Sequence, residues 1–110
     1  MPDYFPDPAK AHRRELAPGV TLSVMWGDRL MLSVVELAEG SQVPMHSHPH
    51  EQAGMVVEGA FTFVIGGESR LLRKGDVYII PGGVEHGILT LKAPARALDI
   101  FTPPREDYKP

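Results

Sequence analysis

At 110 residues the chain is long enough for one core and too short for two domains. Eleven Lys and Arg against 14 Asp and Glu give a net charge of −3, with no basic run able to track a phosphate backbone, so nucleic acid is excluded as a partner. The absence of cysteine excludes a disulfide framework and a thiolate zinc site.

The opening residues, Met1 to Pro8, show neither the basic nor the apolar region of a secretory leader, and no later segment is apolar for long enough to span a bilayer. A soluble, cytoplasmic protein is therefore expected. Residues 1–18, rich in proline and charge, read as an extended N-terminal arm. Val20, Leu22, Val24 and Trp26 alternate with smaller or more polar residues, and Gly27-Asp28 reverses the chain into Arg29 to Leu37, which makes a β-hairpin. Between Gly40 and Gly59 the sequence crowds His46, His48, His50 and Gln52. On a strand these four share one face and Glu51 takes the other. A second hairpin runs from Ala60 to Ile65 and back from Ser69 to Lys74, turning through Gly66-Gly67. Val77 to Ile80, His86 to Leu91 and Arg96 to Thr102 read as further short strands. The prolines of Pro103 to Pro110 cannot continue a central strand, so this tail should close over one end of the fold. Eleven glycines and eleven prolines suit many short strands joined by tight turns, and the chain is predicted to be all-β, with about nine or ten strands and no helix.

The histidines carry the chemistry. Imidazole suits divalent transition metals, and Gln52 offers a neutral amide oxygen that leaves the ion's charge uncompensated, so the site would attract an anionic or oxygen-rich ligand. His86 follows another glycine-bounded strand and can fold back as a third imidazole. Gln52 could ligate the ion or orient a histidine behind it, and Glu51 could replace it if a bulge at Pro49 shifted the register. His50 shares the face but would block the ligand's approach, which makes it a rim histidine; His12 reads as a solvated residue of the arm. Asp99 and Phe101 share one face of the last strand, with Arg105 just beyond. A buried carboxylate there serves either a salt bridge with an arginine or general acid/base work beside the metal, and parity alone leaves both open.

Gly40, His46, His48, Gln52 and Gly59, followed by Gly75, Pro81, Gly83 and His86, resemble the paired motifs of the cupin superfamily across residues 40–90. Thr90 departs from the pattern where asparagine is frequent, and Gln52 stands where glutamate is usual. The resemblance implies a single-domain β-barrel of the jelly-roll kind with a metal in its mouth. More narrowly, the run from His46 to Gln52, the hairpin through Gly66-Gly67-Glu68 and the stretch Asp99-Ile-Phe101-Thr-Pro-Pro-Arg105-Glu-Asp-Tyr108 resemble the KdgF-type cupins of pectin and alginate catabolism. That resemblance implies a divalent ion (Ni, Zn, Fe, Mn or Co) held by His46, His48, His86 and Gln52. It also implies conversion of cyclic 4,5-unsaturated monouronates to the linear keto form, with Asp99 moving a proton, Arg105 binding the carboxylate of the anionic sugar acid and Phe101 packing on the ring. It further implies a homodimer, with the arm lying along a neighbour. A metal-dependent dioxygenase and a non-enzymatic small-molecule-binding or sensor domain are the alternative functions.

Overall fold

A computed structural model describes residues 3–110. Its ten strands are β1 (His12–Ala17), β2 (Val20–Trp26), β3 (Met31–Leu37), β4 (Val43–His46), β5 (Glu51–Glu58), β6 (Ala60–Ile65), β7 (Glu68–Arg73), β8 (Val77–Ile80), β9 (His86–Ile88) and β10 (Ala95–Thr102). They form two antiparallel sheets, one of six strands in the order β1-β2-β3-β10-β5-β8 and one of four in the order β4-β9-β6-β7. The sheets face each other as a jelly roll, and the only helical pieces among the described residues are short 3-10 turns at Pro8–Lys10 and Glu106–Tyr108. No described helix is long and apolar enough to cross a membrane.

The period-two patterns place the core between the sheets. Val20, Leu22 and Val24 of β2 and Met31, Val35 and Leu37 of β3 are buried against Phe61 and Phe63 of β6. Gly66 and Gly67, both with positive φ, supply the β6–β7 turn that a side chain would strain.

Three local features refine the reading from sequence. The extended N-terminal segment does not hang free: His12–Ala17 is paired antiparallel with β2 and forms one edge of the larger sheet, which gives partners to the backbone donors facing β2, while Leu16 packs on the core. Met1 and Pro2 lie outside the described residues. The stretch from His46 to Gln52 is not one strand. β4 ends at His46 in the smaller sheet and β5 begins at Glu51 in the larger, so Ser47 to His50 cross between sheets, with Pro49 unable to donate to either ladder. Finally, β9 stops at Ile88, after which Leu91 exchanges backbone hydrogen bonds with Gly40 and Ser41.

Candidate metal centre

The crossing from β4 to β5 builds the site. His46 closes β4 directly opposite His86 at the start of β9, and their ring centroids are 4.3 Å apart. His48 follows in the crossing segment, which is pinned where Gly83 N–H donates to the His48 carbonyl at 2.8 Å. Gly83 has φ +83, and Pro49 carbonyl lies where a side chain on Gly82 would go, so the Pro81-Gly82-Gly83 turn is what lets the two loops touch. The candidate donor atoms of His46, His48 and His86 fall within 4.8 Å of one another.

All three imidazoles are locked in one tautomer. Each Nδ1 faces a backbone carbonyl, that of Pro44 at 2.9 Å, of His50 at 3.1 Å and of Val84 at 2.8 Å, for His46, His48 and His86 respectively. A carbonyl only accepts, so the proton sits on Nδ1 and each Nε2 presents a lone pair to the centre. Burial first, and then the charge of Arg105, pulls His48 down to about 4, and burial also lowers His86, so both stay neutral at physiological pH. The Nε2 of His86 is buried without any partner, and the Nε2 of His48 faces the Gln52 oxygen Oε1 at 3.0 Å, lone pair to lone pair. Two converging acceptors and an orphaned third are what a shared cation would satisfy, so these residues fit a divalent metal.

Gln52, the second residue of β5, lies beside Asp99 of β10. Asp99 is buried, and burial pushes its carboxyl up to about 6 against the opposing pull of hydrogen bonds from Tyr78 and Gln52. No salt bridge reaches Asp99 among the described residues, which removes the purely structural explanation weighed from the sequence. Ser33, its register neighbour on β3, carries a buried hydroxyl without a partner and lines the same cavity.

Phe101 and Tyr108 wall the site, with the Phe101 ring edge-on to His48 at 5.6 Å. Arg105 lies over Tyr108 at 4.1 Å and over Phe101 at 5.4 Å. Its fork is already engaged: Nε and Nη2 donate to the Asp107 carboxylate at 3.3 and 2.9 Å, and Nη1 donates to the Tyr108 hydroxyl at 2.9 Å. Of the five guanidinium N–H groups, two remain unused. Arg14 of β1 reaches the same place, donating to the Asp107 carbonyl and approaching the Tyr108 ring at 5.5 Å. The inner cavity holds only about 40 Å³, but it shares Leu16, His46, Arg105 and Tyr108 with an outer groove of about 300 Å³. Glu51 and His50 stand apart from this convergence. Glu51 is exposed, and His50 lies beside His48 with ring centroids 5.5 Å apart.

The cupin-domain family model matches residues 33–101, which contain the whole imidazole cluster as well as Asp99 and Phe101. The chain is a cupin. It is 35% identical to the pectin degradation protein KdgF of Dickeya dadantii over 96 residues, covering 86% of this chain and 87% of that protein. Among solved structures, KdgF from a Halomonas species superposes with a TM-score of 0.86 at 29% identity, covering 99% of this chain and 100% of the other. An RmlC-like cupin from Shewanella frigidimarina superposes with a TM-score of 0.89 at 26% identity, covering 98% and 97%. This cupin also carries residues around the site to which sequence reasoning assigned no role. Tyr78 and Gly54 surround Asp99, while Arg14, Asp107 and Tyr108 surround Arg105. Gly54 left a visible trace, since a glycine inside a strand marks a close approach.

Proposed function

We propose that this cupin opens the ring of a cyclic 4,5-unsaturated monouronate to give the linear keto form. The observation that carries the reading is the adjacency of Asp99 to Gln52: a buried carboxylate with its pKa pushed up to about 6 stands beside the donor set His46, His48, His86 and Gln52. A pKa near the working pH lets one group both take and return a proton. The likeness to KdgF proteins across nearly the full chain supports the same substrate class.

In such a substrate C5 carries the carboxylate, the ring oxygen and a double bond to C4. Asp99 takes the proton of the C1 hydroxyl, the bond from C1 to the ring oxygen breaks as the C1 carbonyl forms, and the electron pair leaves an enolate at C5. Return of the proton to C4 converts the enolate to a ketone. Atoms and electrons balance, so no co-reactant is needed. A divalent ion in the site would supply a Lewis acid for the negative charge that develops on the ring oxygen. Arg105 offers its two unused N–H groups to the uronate carboxylate, or exchanges Asp107 for it. Phe101 supplies an apolar wall for a sugar face and limits water. The inner cavity admits the reacting end only, leaving the rest of the ring in the outer groove.

The test is to follow the ultraviolet absorbance of the unsaturated monouronate with the metal-loaded protein, with and without chelator. Accelerated, chelator-sensitive loss of absorbance is expected. No acceleration overturns the reading, and oxygen uptake with another substrate in its place would assign a dioxygenase.

We also propose a homodimer formed through the outer face of the six-stranded sheet, supported by two adjacent rows of apolar side chains there.

A further inference from the structure

One inward-facing row of the larger sheet runs from Asp99 on β10 through Gly54 on β5 to Tyr78 on β8, with the three residues directly opposite one another. Across two strand spacings, about 9.6 Å, Asp99 and Tyr78 could not meet over an ordinary side chain. They meet because Gly54 is empty: a Cβ there would overlap both the Asp99 carboxylate and the Tyr78 hydroxyl. Gly54 has no positive φ, so its backbone makes no demand for glycine and the need is for space alone. The Tyr78 hydroxyl donates to Asp99 Oδ1, and its ring is held edge-on to Phe63 with centroids 4.8 Å apart.

The next row places Gln52 between Phe101 and Ile80. The Gln52 amide has two ends, and either could face the imidazoles. Its oxygen faces His48 Nε2 at 3.0 Å, which leaves the NH2 group for Asp99, the diagonal neighbour of Gln52 on the same face of β10. An ionised carboxylate only accepts, so Asp99 decides which way the amide points.

We infer that Tyr78 is a positioning residue of this site: across Gly54 its hydroxyl fixes Asp99, and Asp99 in turn holds the Gln52 amide with its oxygen toward the three imidazoles. The catalytic half of this role rests on the function proposed above, while the Gln52 half does not. Asp99 is thereby the carboxylate that compensates a cation bound through a neutral ligand, set one residue behind that ligand. Without the Tyr78 hydroxyl, Asp99 loses its fixed donor and is free to rotate, and the amide loses the acceptor that orients it.

The test uses Tyr78→Phe, which keeps the ring packing against Phe63 and removes only the donor. Co2+ is the probe, because its visible spectrum reports the number and type of its ligands. Expected for the variant are an affinity for Co2+ weaker by about tenfold in chelator competition, an altered visible spectrum, and a kcat lower by at least about tenfold with KM changed less than about twofold. A variant with wild-type Co2+ affinity and spectrum overturns the inference, even if its melting temperature falls, because a purely structural role moves only the latter. A wild-type protein that takes up no Co2+ overturns it too. If Tyr78→Phe does not fold, 3-fluorotyrosine at position 78 preserves shape while changing donor strength. A shifted Co2+ spectrum then supports the inference and an unchanged one overturns it. Should the wild type bind Co2+ but leave the uronate unchanged, the proposed reaction fails and the Co2+ readouts alone decide the role of Tyr78.

Discussion

Gln52 Oε1 lies 3.0 Å from His48 Nε2 while the His48 proton is committed, at Nδ1, to the His50 carbonyl. Two lone pairs thus face each other in a buried place, and a cation between them turns a repulsion into a pair of bonds. Adding Zn2+ or Ni2+ should therefore raise the thermal midpoint. At a hundredfold excess over Kd the stabilisation is about 2.7 kcal/mol, or roughly 10 °C for a domain of this size. Chelator should reverse the shift, and His86→Ala should abolish it. Differential scanning fluorimetry that shows no metal-dependent shift in the wild type would sink the assignment of these four donors.

Asp99 gives the metal-free protein an unusual pH dependence. Its carboxyl is raised in the fold from an ordinary 3.8 to about 6 by burial. A raised acid pKa means the fold binds the proton more tightly than the unfolded chain does, so stability from this group is fully present below pH 4 and is lost as pH rises through 6. Above that, ionised Asp99 costs on the order of 3 kcal/mol. Asp99→Asn removes the titration, so its stability relative to the wild type should climb between pH 4 and pH 7.5. His48 and His86, both lowered by burial, act in the opposite sense and destabilise the fold on acidification below 6.5, but they are common to both proteins and cancel in the difference. Urea titrations of the two metal-free proteins across this range would measure it, and a constant difference would refute the assigned cause.

Arg105→Lys keeps the charge and loses the fork. A lysine cannot make the paired contact with a carboxylate, nor stack over Tyr108 as the guanidinium does at 4.1 Å. For the proposed uronate, KM should rise by about tenfold or more, corresponding to about 1.4 kcal/mol or more of lost binding, with a smaller change in kcat. Steady-state kinetics in which kcat falls and KM holds would instead put Arg105 in the chemical step.

The histidines that converge were legible because motif spacing is local, and the strands were legible because their apolar positions alternate. The route by which the ligands converge was not. Shared parity of His46 and Gln52 suggested one strand, whereas the chain breaks at Pro49 and the two residues approach from different sheets. Parity put His46, His48 and Gln52 together by a mechanism the fold does not use, and it included His50, which stands apart. The roles of Tyr78 and Gly54 depend on the register of β5 between β8 and β10, a non-local pairing that no single segment encodes. The contact of Asp107 with Arg105 was hidden for a different reason: an acidic residue in a proline-rich tail reads as solvated, and only the 3-10 turn at Glu106–Tyr108 brings it round onto Arg105.

The outer face of the six-stranded sheet carries the last prediction. An antiparallel sheet with one face on the core normally turns polar residues to water on the other. Here one outer row reads Val34, Leu98, Met55, Val77 across β3, β10, β5 and β8, and the next reads Met25, Leu32, Ile100, Ala53, Ile79 from β2 to β8. Val77 and Ile79 are 67% and 69% exposed. The bordering row carries Arg96 between Glu36 and Glu58, at 3.4 and 3.8 Å, so its charges are largely matched within the chain. An apolar band with an internally paired border is complementary to itself, and two such sheets can stack about 10 Å apart around a twofold axis. Sedimentation velocity should give twice the 12.1 kDa chain mass for the wild type and the single-chain mass for Ile79→Lys, which puts a charge into the middle of the contact. Because Ile79 faces outward, its replacement should leave the metal-dependent thermal shift in place. A wild type that sediments as a monomer at tens of micromolar would remove the homodimer, and the apolar rows would then be a feature of the monomer's surface alone.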